Sequence, residues 1–156
     1  MRGIIAAILV ALSFFAGILT SRHFAYKMIV KEVDKIRQYK CLFQFSNKWI
    51  ALKQKEMDIT AYFRDRGYYS IAVYGMGDLG ERLADEIQNT DINIVYAIDR
   101  SKTGKYAGIQ IKRLEEVLPE VDAVVVTPIY NFWEIKPILI DKFECPVVSL
   151  EDVICE

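Results

Sequence analysis

Residues 71–80 read IAVYGMGDLG. A short apolar strand runs directly into Gly75-x-Gly77-x-x-Gly80, a helical pattern follows, and Asp99 closes the next apolar run, INIVYAID. Strand, glycines, helix, strand and acid in this order form the context that a dinucleotide-binding turn requires. Each glycine has its own mechanical task there. Gly75 allows the tight turn, Gly77 lets a pyrophosphate approach the backbone, and Gly80 lets helix pack on strand. Met76, Asp78 and Leu79 complete the turn, and the opening helix presents unpaired N–H groups to an anion. Asp99 is placed to accept two hydrogen bonds from a ribose diol, and its charge suits NAD over a cofactor carrying a 2′-phosphate. Arg100 beside it is able to stack on a base.

Downstream, the pattern alternates between strand and helix. ERLADEIQ carries Leu83, Ala84 and Ile87 on one face, and RSKTGKYAG reads as a polar loop. A short extended IQI, a helical RLEEVL stopped by Pro119, and a strand DAVVVT come next. A helix from about Asn131 to Lys142, a strand PVVSL and a terminal EDVICE complete the chain. Such alternation predicts an α/β fold, a single Rossmann-like parallel sheet of about five strands with flanking helices and the spatial order 3-2-1-4-5. The ligand crevice then lies at the carboxyl ends of the strands, where Gly75–Gly80, Asp99, Arg100 and Thr127 all fall. After Thr127-Pro128, Asn131 is expected to cap the next helix, with Phe132 and Trp133 packing inward.

Upstream, Asp58 reads as the N-cap of a short helix ITAYFRDR that stops at Gly67. Residues 24–57 carry Met28, Ile29, Val33, Ile36, Tyr39, Leu42 and Phe43 at helical spacings, which predicts a juxtamembrane helical stalk that the Ser46-Asn47 pair interrupts or recaps. Trp49, Tyr62 and Phe63 read as core aromatics. From Gly3 to Thr20 no residue is charged and IIAAILVALSFFAGIL is apolar on every face, the pattern of a helix in lipid. At helical rise the segment spans roughly 27 Å, close to the hydrocarbon thickness. Arg22, Lys27, Lys31, Lys35, Arg37 and Lys40 follow it, so the positive-inside rule places the remainder in the cytoplasm. The alternative, a cleaved secretory signal, has a minimal positive start and only Ala11 and Ser13 as a cleavage site. Three divisions result: residues 1–23 as a single-pass membrane anchor contacting lipid through residues 3–20, residues 24–57 as the stalk, and residues 58–156 as the nucleotide-binding domain.

The 156 residues are 53% hydrophobic with a net charge of −1, enough for one modest core and without a basic surface for nucleic acid. Cys41, Cys145 and Cys155 are odd in number and form no CxxC pair, so no disulfide framework or zinc site is legible. His23, the only histidine, falls at the membrane edge, which excludes histidine triads and histidine-rich metal sites from the rest. Glu115, Glu116, Glu134, Glu151 and Asp152 read as solvated faces rather than an acid/base pair.

The run YGMGDLGERLADE, with YAIDR, the segment GIQI, the strand VDAVVVT and the closing CPVVSLEDV, resembles the small membrane-tethered Rossmann-like domains of bacterial capsule and polysaccharide clusters. These are similar to nucleoside-diphosphate-sugar epimerases and to the nucleotide-binding part of membrane-bound sugar-nucleotide dehydratases. The resemblance covers roughly residues 58–156. It implies binding of NAD(H) or a nucleotide sugar, a protein partner in polysaccharide synthesis, and Gly75, Gly77, Gly80, Asp99 and Thr127 as binding positions.

Three departures qualify that likeness. Epimerases and dehydratases of this class need a tyrosine with a lysine four positions on, to lower the phenol pKa for proton transfer. None of the nine tyrosines has one; Tyr62 and Tyr96 have Arg66 and Arg100 at that spacing. The chain also has no second half to form a sugar pocket. Asp78, inside the turn, opposes a diphosphate unless its side chain points outward, and suits the helix start. The expectation is therefore a membrane-anchored nucleotide-binding accessory or sensor protein, in which any epimerase- or dehydratase-like catalysis would need a complex, with a homo-oligomer formed through the stalk. The alternatives are an interaction module on a ligand-free Rossmann scaffold, and a regulator resembling the NAD-sensing domains of potassium transport.

Overall fold

The computed structural model of the chain describes residues 2–155, the side chains of residues 2, 4–13, 15 and 16 excepted. Two compact units divide it, Met1–Cys41 and Leu42–Glu156. The first consists of the greater part of one helix, α1 (Arg2–Gln54). Among the described residues no helix is long and apolar enough to cross a membrane. The membrane anchor expected at residues 3–20 depends mostly on side chains that lie outside the described residues.

The break expected at Ser46-Asn47 does not occur: α1 runs through it to Gln54. Neither residue costs a helix more than a few tenths of a kcal/mol. The flanking Phe45 and Trp49 are buried, at 4% and 7% exposure, with ring centroids 5.6 Å apart. Packing on one side of the helix outweighs the weak local preference.

In the second unit the strands are β1 (Ser70–Tyr74), β2 (Asn93–Ile98), β3 (Gly104–Tyr106), β4 (Ile109–Lys112), β5 (Ala123–Val126) and β6 (Val147–Ser149). The helices are α2 (Thr60–Arg66), α3 (Asp78–Ile87), α4 (Phe132–Ile140) and α5 (Leu150–Cys155). The sheet order is β3-β4-β2-β1-β5-β6. Every pairing is parallel except β3 on β4. Without β3 this is the expected 3-2-1-4-5 arrangement, here β4-β2-β1-β5-β6.

The added strand comes from the stretch read as a polar loop. Ala107 and Gly108 both take positive φ, 47° and 88°, which builds a two-residue turn of the hairpin-favouring kind. β3 itself is exposed along most of its length, so it carries no buried apolar run to betray it. The helix expected at RLEEVL is also absent: residues 113–121 form a turn without a helix. Six residues before a proline are too few to repay helix nucleation. Local bonds take its place, Arg113 N–H donating to Glu116 Oε1 at 2.6 Å and Glu116 N–H to the Arg113 carbonyl at 3.2 Å.

Asp58 supplies the capping bond expected of it, although the bounds of α2 begin one residue later than read. Ile59 holds the N-cap position without a side-chain bond, while Asp58 Oδ1 accepts from the N–H and hydroxyl of Thr60 at 2.9 and 2.6 Å. Gly67 ends α2 with φ 72° as a left-handed C-cap. The sheet is buried on both faces. Ala72, Tyr74, Tyr96, Ile98, Val124 and Val126 form one face with Phe132, Ile135 and Leu139 of α4, and Ile71, Val73, Ala97 and Val125 alternate with them at 0% exposure.

Candidate functional site

β1 ends at Tyr74 and the chain turns at Gly75, whose φ of 94° only glycine adopts without strain. A Cβ there would also lie 2.7 Å from Pro128 Cδ and 2.8 Å from Thr127 Oγ1. Gly80, in the first turn of α3, has the same character for a different reason. Its Cβ would run into the Gly75 carbonyl oxygen, so helix and strand approach this closely only because the side chain is missing. Gly77 differs from both. It is the N-cap of α3 with φ −83° and ψ −164°, backbone that other residues adopt, and a Cβ built on it meets nothing within 4 Å. Of the three glycines, the protein's own packing requires two, and the third faces open space.

The remaining residues of the turn divide by exposure. Met76 is fully buried, so it offers the turn only its backbone. Asp78 is exposed and lies in the first turn of α3, where its charge complements the helix dipole. Leu79 is half-buried and lines a groove of about 700 Å³ with Trp49, Ile50, Lys53, Arg82 and Glu86.

Asp99 follows β2 and is tied down from three sides. Its Oδ2 accepts from Met76 N–H at 2.8 Å, and its Oδ1 accepts from the N–H groups of Ser101 and Lys102 at 2.7 and 2.9 Å. Burial alone pushes the carboxyl up, but the backbone donors of Lys102, Ser101 and Met76 together outweigh it and hold Asp99 below its ordinary value. A carboxylate has about four lone-pair positions. Three are in use, so the two bonds expected from a ribose diol reduce to one while these contacts stand.

Thr127, placed by the sequence at the crevice, is 3% exposed. Its N–H donates to the Tyr74 carbonyl at 3.0 Å, and its hydroxyl bonds to the carbonyls of Tyr74 and Gly75. Thr127 thus braces the glycine turn from the end of β5. Arg100 is exposed. Gly75, Met76, Asp99 and Thr127 therefore share one hydrogen-bonded assembly, with Gly77 and Asp78 at its open side.

Three further residues shape the site. Lys102 Nζ pairs with Glu81 Oε1, which pins the loop after β2 to the start of α3 and holds the Lys102 pKa above its ordinary value. Arg113 Nη1 donates to the Asp99 carbonyl at 2.8 Å. Periodicity cannot reveal such contacts. The one available signal was Asp99-x-Ser101, the spacing at which an aspartate bonds the backbone two residues on.

Of the two tyrosine–arginine spacings, only Tyr62 and Arg66 meet as a contact. Tyr96 is 1% exposed, its hydroxyl donates to the Pro119 carbonyl at 2.9 Å, and burial pushes its pKa up to about 12. Arg66 lies over the Tyr62 ring at 3.9 Å. Trp133, expected to pack inward, is 77% exposed; Phe132 takes the core position and the Lys136 ammonium sits 5.5 Å from the Trp133 ring centre. Glu115, Glu116, Glu134, Glu151 and Asp152 are all exposed. Among the described residues no group of acidic, histidine or cysteine side chains is arranged to hold a metal ion.

Comparison with protein-family models, with curated proteins and with solved structures finds no match to this chain.

Proposed function

We propose that this chain is a membrane-tethered, cytoplasm-facing nucleotide-binding protein that takes NAD(H) or a nucleotide sugar at the Gly75–Gly80 turn. It acts as a sensor or accessory subunit of envelope polysaccharide synthesis, with a protein partner there. Gly77 carries the reading. A glycine that neither backbone conformation nor packing demands, at the N-terminus of a ten-residue helix, suits close approach of an anion to main-chain N–H groups. The exposed position of Asp78 supports it, because the carboxylate is free to turn away from a phosphate. The uncharged segment at residues 3–20 and the basic residues after it support the tether. The polysaccharide context rests on the resemblance of YGMGDLGERLADE and its companion segments.

The test is thermal unfolding of the full chain in mild detergent with NAD, NADH and UDP-sugars. A ligand at about a hundredfold its dissociation constant should add roughly 2.7 kcal/mol. Gly77→Val should abolish that gain while costing about 1 kcal/mol of its own through the poorer N-cap. Absence of a gain from every one of these compounds at millimolar concentration would overturn the nucleotide reading.

A second reading has its own observation. Met76 N–H, the Asp99 carboxylate and the Thr127 hydroxyl are engaged within the protein, as expected of a scaffold kept for its shape. In that case the chain is an interaction module, and the thermal shift stays at zero.

A further inference from the structure

Tyr26, Ile29, Val33, Ile36 and Lys40 recur along α1 at alternating intervals of three and four residues. That is the spacing of a coiled-coil seam, with Tyr26, Val33 and Lys40 at a positions and Ile29 and Ile36 at d positions. The apolar members stand in solvent, Tyr26 at 67%, Ile29 at 62%, Val33 at 44% and Ile36 at 65% exposure. An apolar stripe of this regularity over two heptads is otherwise costly to leave uncovered.

Charge identifies the occupant. In this register Glu32 is a g residue and Arg37 the e residue of the next heptad, and these positions meet across a parallel pair. Two copies of this chain therefore bring Glu32 to Arg37 of the partner on both sides of the seam. An antiparallel pair sets g against g and e against e, so Glu32 would face only Glu32 or Tyr39. Within one chain Glu32 pairs with Lys35 and Arg37 with Asp34. Both are exposed i,i+3 contacts of little energetic weight, and neither resists exchange for an interchain pair. Lys40 at an a position points the same way. A polar a residue specifies register and oligomer state, and in a two-stranded coil the lysine ammonium reaches water past its stem.

We propose that two copies of this chain pair in parallel and in register through the α1 seam from Tyr26 to Lys40. The proposal does not rest on nucleotide binding. Its test uses the full chain in mild detergent, with Cys41→Ser, Cys145→Ala and Cys155→Ser removing the native thiols. Ile36→Cys places a thiol at a d position and Gln38→Cys places one on the outer face of the same turn. Oxidation should give a covalent dimer through residue 36 at least about tenfold faster than through residue 38, given the short reach of a disulfide. In the unlinked protein, Glu32→Arg should weaken dimerisation by roughly tenfold, and adding Arg37→Glu should restore it. Equal rates at residues 36 and 38, a single-chain mass at micromolar concentration, or no restoration by the second reversal would overturn the proposal.

Discussion

Asp99 serves the fold before it serves any ligand: one carboxylate oxygen holds the glycine turn through Met76 N–H, and the other organises the loop after β2 through Ser101 and Lys102. Because these bonds favour the charged form, the native state releases the Asp99 proton at lower pH than the unfolded chain does. Between those two values the unfolded state binds more protons, so stability rises with pH. The contribution is fully present above the ordinary carboxyl range, near pH 4, and is lost as pH falls through the folded value. Asp99→Asn should cost about 1–3 kcal/mol at pH 7 by leaving backbone donors unmatched. The gap between parent and variant should narrow toward pH 3, as measured by urea unfolding at the two pH values. A gap that stays constant would mean that the charge of Asp99 is immaterial to the turn. The glycines separate at this scale too. Spacing marked all three, but only the neighbours of Gly75 and Gly80 show that those two serve packing, whereas Gly77 does not.

α4 shows what an element can conceal. FWEIKPILI is apolar almost all round, so its sequence offers no polar stripe from which to tell the inner face from the outer. Pro128 and a 3-10 turn at Ile129–Asn131 precede the helix and set the angle at which it starts. That start puts Phe132, Ile135 and Leu139 against β5 and β6 and leaves Trp133 in solvent. Phe132→Ala should therefore cost about 3–5 kcal/mol, and Trp133→Ala should stay within about 0.5 kcal/mol of the parent. Chemical denaturation of the two variants distinguishes them, and a larger loss at Trp133 would reverse the orientation. The β3–β4 hairpin and the missing RLEEVL helix teach the same lesson. Three mostly exposed residues and a six-residue turn carry too little periodicity to classify, and Leu114 and Leu118 pack partly against the core without needing a helix.

The molecule as a whole divides after Cys41, within α1 and sixteen residues before the domain start read from the sequence at residue 58. Phe45 and Trp49 belong to the second unit and are buried in it. A chain beginning at Leu42 should keep the parent's unfolding midpoint to within about 4 °C, whereas one beginning at Asp58 should lose at least about 3 kcal/mol with those two aromatics. Circular dichroism melts of the two truncations test this. Equal midpoints would mean that the end of α1 contributes nothing to the α/β unit.

The order of the five parallel strands, the place of the glycine turn and the acid after β2 were determined by the sequence alone. A parallel strand buried on both faces must be an unbroken apolar run, and a turn at the φ of Gly75 needs glycine, so both leave marks that no distant contact can erase. Tertiary structure alone decided which partners the site residues take. Whether Asp99 faces a ribose or the Met76 N–H, and whether Thr127 faces a crevice or the Gly75 carbonyl, depends on groups brought together by the fold from 23 and 52 residues away. No local pattern records such a meeting, because its energy comes from burial and hydrogen bonding between segments that touch only once the sheet is assembled.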